Sequence, residues 1–122
     1  MFELISGVMV RSGNVYDRNI VLDVLQNNRY HLPDSFSPHD IIIDIGAHVG
    51  SFATACLQRG AGKVFAFEPD RQNIRLCAHN LRRFGNRTFL SRAAIWRSDL
   101  DVSELKYTGY PATANGSNSG GG

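Results

Sequence analysis

From Ile41 to Asp70 the chain reads IIIDIGAHVGSFATACLQRGAGKVFAFEPD, and its apolar and polar positions fall into blocks. Ile41–Ile45 is β-branched apart from Asp44, the pattern of a parallel strand covered by helices on both faces. A helix is predicted from the Gly50-Ser51 turn, packing Phe52, Ala55, Cys56 and Leu57 and ending at Gly60, which suits a position just past a helix terminus. Lys63–Phe67 predicts a second strand. Asp70 suits the N-cap of a third helix, where Ile74, Cys77, Leu81 and Phe84 recur at three- and four-residue steps until Gly85. Thr88 to Ile95 predicts a third strand. Strand, helix, strand, helix, strand with short connections implies an α/β fold built on a Rossmann-like parallel sheet.

The flanks are patterned differently. Residues 2–11 suit one or two short strands around Ser6-Gly7. Asp17 is placed as the N-cap of a helix running to about Asn28, with Ile20, Val21, Val24 and Leu25 on one face. His31 to Asp40 holds two prolines among polar residues and reads as a connector. The chain therefore divides into an N-terminal prefix (1–37), a Rossmann-like half domain (38–110) and a tail (111–122). Residues 98–107 read as a turn and short helix or as a loop. The tail, PATANGSNSGGG, offers too little apolar surface to order itself.

Bulk properties narrow the class. A chain of 122 residues is long enough for one domain. No apolar run is long enough for a transmembrane helix, and the N-terminus lacks the charged and apolar regions of a signal peptide, so a cytoplasmic protein without a membrane partner is expected. A net charge of +2 is too small to argue for nucleic acid. Eleven of the thirteen basic residues are Arg, and Arg71, Arg75, Arg82 and Arg83 share one segment. They form either a solvated helix face or a patch for an anion. Cys56 and Cys77 lie among apolar residues without metal-ligand spacing and read as reduced core residues; no metal site is expected.

The turn between the first strand and helix carries candidate chemistry. Gly46 and Gly50 let backbone approach a ligand or adopt positive φ. A dinucleotide fingerprint, G-x-G-x-x-G, is broken here by His48 and Ser51, leaving D-x-G-x-x-x-G with Asp44 inside the strand. A carboxylate there suits a ligand bearing an ammonium group or hydroxyls, or else caps the loop amides. Glu68 follows Gly50 by eighteen residues at the end of the next strand, where an acid accepts from both ribose hydroxyls. An acid at that strand end has little structural use. S-adenosyl-L-methionine, with an amino-acid tail, a ribose and an adenine, fits this set. Tyr30 either closes over such a cofactor or packs the prefix helix, and His48 shapes the pocket. His31, His39 and His79 read as surface residues.

DIGAHVGSF, followed by FAFEPD and then Asn73, resembles the class I S-adenosylmethionine-dependent methyltransferases, specifically the FkbM type. The upstream VLDVLQNNRYHL and the AAIW of the third strand extend that resemblance over roughly residues 15–110. It implies that Asp44, Gly46, Ala47, His48 and Gly50 line the methionine part of the cofactor. Glu68 would hold the ribose, Pro69 and Asp70 would bound the adenine end, and Ala93 and Ala94 would approach the adenine. The implied activity is O-methylation of a hydroxyl on a sugar or other small molecule. Such enzymes have a seven-stranded sheet, and the family's acidic IDVEG-like strand does not follow here. The expectation is therefore an N-terminal part of a longer enzyme, with strand 41–45 exposing an apolar edge. That edge would otherwise be covered by residues 100–110, or by a second chain in self-association. No catalytic residue is assigned. The competing readings are a non-catalytic module binding S-adenosylmethionine or a nucleoside, and a dinucleotide-binding oxidoreductase domain.

Overall fold

The computed structural model describes residues 1–95. Strands β1 (Phe2–Ile5) and β2 (Val8–Arg11) form an antiparallel hairpin whose turn residues, Ser6 and Gly7, both have positive φ. Helix α1 (Val15–Val21) runs on through a π-helical turn, Leu22–Gln26. Beyond the connector come β3 (Ile41–Ile45), α2 (Ser51–Gln58), β4 (Lys63–Phe67), α3 (Arg71–Leu81) and β5 (Thr88–Ser91). The three later strands make a parallel sheet in the order β3-β4-β5. The pattern of apolar positions thus locates the strands and α-helices of this unit, although the third helix gives way after Leu81 to a 3-10 segment, Arg82–Arg87. The third strand stops at Ser91, short of Ile95. Trp96, the remainder of the 38–110 segment and the 111–122 tail lie outside the described residues.

Two expectations need correction. Asn14, not Asp17, caps α1: its side-chain oxygen accepts the Asp17 N–H at 3.0 Å. Asp17 sits in the first helical turn and is fully buried. The second concerns the sheet, which among the described residues carries its two crossover helices on one face only. Ile42, Val64, Ala66 and Leu90 meet Ala53, Cys56 and Leu57 of α2 and Cys77 and Leu81 of α3 in one core cluster. The alternate residues Ile41, Ile43, Ile45 and Phe89 are exposed, because both crossover helices lie on the same side. Each fully buried Val or Leu in the covered face contributes about 1.5–3 kcal/mol relative to exposure.

The prefix packs against the sheet unit through a second cluster, in which Val8, Val10 and Val21 meet Val49 and Leu76. Asn80 of α3 bonds this junction together. Its Oδ1 accepts the Met9 N–H at 2.8 Å, and its Nδ2 donates to the carbonyls of Met9 and Val49. The connector is tied to α2, where Arg59 donates to the Pro33 carbonyl at 2.7 Å and accepts the Phe36 N–H on its own. Among the described residues no helix is long and apolar enough to cross a membrane.

Candidate functional site

A cleft of about 490 Å³ opens at the C-terminal end of β3, where ligands bind in open α/β sheets. Its walls include Asp44, Gly46, Ala47 and His48 from the strand end and loop, Ser51 and Phe52 from α2, and Tyr16 and Tyr30 from the prefix. The loop hangs from β4: the N–H groups of Gly46 and Ala47 both donate to the Phe67 carbonyl, at 2.8 and 3.0 Å. Gly46 has a φ of +76, and a Cβ there would meet nothing within 4 Å, so conformation rather than space demands glycine. Gly50 is turned the other way. At a φ of +95, its missing side chain faces α3, and a Cβ would come within 3.2 Å of the Cys77 Sγ.

Asp44 is buried, and its Oδ2 makes no hydrogen bond among the described residues. Burial, with the nearby Glu68 charge adding to it, pushes its carboxyl up to about 6. A buried carboxylate oxygen without a donor is costly unless something supplies one. The same burial raises the thiols of Cys77 and Cys56, to about 12 and about 11; both are free and buried, as core residues would be.

Glu68 is fully buried and is not part of the cleft wall. Its Oε1 accepts the His48 N–H at 2.8 Å and its Oε2 the Asp70 N–H at 2.9 Å. The acid therefore has a structural use after all, holding the two loops that follow β3 and β4 against each other. Asp70 caps α3 as predicted, accepting the Asn73 N–H at 2.9 Å. Pro69 is half-buried, with its carbonyl receiving the Arg92 Nε–H; Ala93 is half-buried and Ala94 exposed. Of the ten expected contacts, then, Asp44, Gly46, Ala47 and His48 meet at the cleft. Gly50, Glu68, Pro69, Asp70, Ala93 and Ala94 do not line it.

His48 adopts a φ of +55, a region that costs a non-glycine residue about 1–2 kcal/mol. Its Nε2 lies 3.0 Å from the Asp17 Oδ1, and its ring packs edge-on against Tyr16 at 5.5 Å. Burial alone would raise the Asp17 carboxyl, but hydrogen bonds from His48 and Arg11 bring it well below the usual carboxylate range. The Tyr16 hydroxyl is raised by burial and by the charges of Asp17 and Glu68. Tyr30 is mostly exposed and stacks edge-on against Phe52 at 5.2 Å. Asp17 and Tyr16 were not expected at the site. An acid in the first turn of a helix is usually read as a dipole partner, and the sequence alone gives no signal that it faces a loop thirty-one residues away.

No protein-family model matches this sequence, and no curated protein is similar to it at the sequence level. Solved structures do share the fold. Pyrococcus horikoshii TYW2 in complex with MeSAdo superposes with a TM-score of 0.50 at 16% identity, covering 77% of this chain and 36% of that one. An RNA methyltransferase candidate from the same organism gives 0.49 at 18% identity, covering 68% and 41%. The chain thus spans about two fifths of the length of the structures it matches. Its fold is a class I methyltransferase fold in part: three parallel strands with their crossover helices.

Proposed function

We propose that the chain is the cofactor-binding part of an S-adenosylmethionine-dependent methyltransferase of FkbM type, acting on a hydroxyl of a sugar or other small molecule. The observation that carries the reading is Asp44: a buried carboxylate oxygen with no donor among the described residues, at the wall of a cleft beside an open glycine turn. An ammonium group satisfies such an oxygen, and an amino-acid tail supplies one. Glu68 would accept from the ribose hydroxyls, and reaching it requires the buried acid to become accessible. The TYW2 structure with MeSAdo supports a nucleoside on this fold. Pro69, Asp70, Ala93 and Ala94 would bound the adenine, as in the family resemblance.

The bound cofactor would supply the electrophilic methyl group. This chain's residues would hold and orient it and keep water from it, while acceptor contacts and any base would come from residues beyond the cleft. The edge of β3, unpaired among the described residues, is proposed to associate with a further strand, from continuing chain or a second copy.

Calorimetric titration of the purified chain with S-adenosylhomocysteine tests the reading. Saturable binding is expected, weakened at least about tenfold by Asp44→Asn and by Glu68→Gln. Binding of NAD in its place would overturn the reading. Glu68→Gln is preferred to alanine because it retains an acceptor for one of the two loop N–H groups.

A further inference from the structure

Six residues close a hydrogen-bonded circuit that passes through both the prefix and the cofactor loop. Asp17 accepts from Arg11 Nη2 at 2.7 Å and Arg11 Nε at 2.8 Å, and its Oδ1 lies 3.0 Å from His48 Nε2. The His48 N–H donates to Glu68, which also accepts the Asp70 N–H, and the Asp70 carboxylate in turn accepts the Asn73 N–H. Asn73 Oδ1 accepts from Arg11 Nη2 at 2.8 Å, returning the circuit to the prefix. All but Arg11 are buried. His48 is the one member with positive φ, and its side chain is held from the prefix while its main chain faces the acid of β4.

We propose that Asp17 is a positioning residue for the cofactor loop, holding the His48 ring and through it the His48 N–H on Glu68. The inference rests on the cleft being a nucleoside site. Asp17 does not reach the cleft wall; it acts by keeping the loop in a conformation that residue 48 would otherwise leave. A histidine imposes that need, since glycine would tolerate the same φ unaided. The anchor also makes the prefix part of the site rather than a separate leader. Arg11 keeps the Asp17 charge neutralised, so the anchor remains an ionised acceptor.

The test combines hydrogen exchange at the His48 amide with S-adenosylhomocysteine affinity in a double-variant cycle on the full chain. Asp17→Asn is expected to speed exchange of the His48 amide and to weaken binding, each about tenfold, while the β3–β4 ladder amides stay unchanged. In a His48→Gly background the same Asp17→Asn change is expected to leave affinity unaltered. Equal losses in both backgrounds, or acceleration spread across the sheet, would show Asp17 merely holding the fold and overturn the inference. Should Asp17→Asn fail to fold, His48→Phe breaks the anchor from the other side and leaves the Arg11–Asp17 pair intact. Wild-type affinity and amide protection in that variant would sink the inference equally. If the wild-type chain binds no S-adenosylhomocysteine, the nucleoside reading fails, and the exchange measurements alone decide the role of Asp17.

Discussion

Asp44 shows how a single residue can be legible in sequence while its state is not. An acid inside a run of four isoleucines is conspicuous, and its place beside Gly46 marks the site. Whether it caps loop amides or waits for a ligand depends on distances that spacing cannot supply; the loop amides go instead to the Phe67 carbonyl and Glu68. Its carboxyl is raised to about 6 from the ordinary 3.8, so the folded chain binds that proton more tightly than the unfolded chain does. This contribution is full below the ordinary value and is lost as pH rises through about 6, a change of up to about 3 kcal/mol. Asp44→Asn removes the titration. The variant should match the wild type near pH 4 in urea unfolding and exceed it by about 1–3 kcal/mol at pH 7.5, while binding ligand more weakly. Asp17 works with the opposite sign: its lowered carboxyl stabilises the fold above the ordinary carboxylate range and is lost in acid. The difference between wild-type and Asp44→Asn curves, rather than either alone, isolates the site.

At the scale of elements, periodicity located α2, β4 and α3 because each buries one face in a single core. It failed at α1, where both Asn14 and Asp17 are capping types and only main-chain geometry shows that Asn14 does the capping. It also gave no hint of Asn80, a polar residue among the apolar steps of α3. That side chain serves the exposed edge of β2 much as another strand would, taking both polar groups of Met9. Asn80→Ala should destabilise the chain by about 2–3 kcal/mol, since it removes the bonds to the half-buried N–H and C=O of Met9 and to the buried Val49 carbonyl. The loss should appear as a lower thermal midpoint, with faster amide exchange in the hairpin than in the β3–β5 sheet. A similar loss in both regions would mean that prefix and sheet unfold as one cooperative unit.

Across the whole molecule, the sequence announced a parallel sheet but overestimated its cover. A β-branched run reads as buried on two sides, yet only two crossover helices are described and both take the same side. Ile41, Ile43 and Ile45 therefore stand in a row beside Phe89, which stacks on Phe65 at 4.7 Å. Sedimentation velocity should show association that strengthens with concentration, and Ile43→Lys should shift the chain toward monomer without lowering its thermal midpoint. An unchanged distribution would mean that this face does not mediate the contact. The same face alters how foldedness can be judged. Dyes such as anilinonaphthalene sulfonate brighten on accessible apolar surface and are commonly taken to signal a loosened interior. This chain should brighten them in its native state, at temperatures where the packed side of the sheet is intact. A bright dye signal from this protein reports its architecture, and the dispersion of its amide resonances is the safer gauge of order.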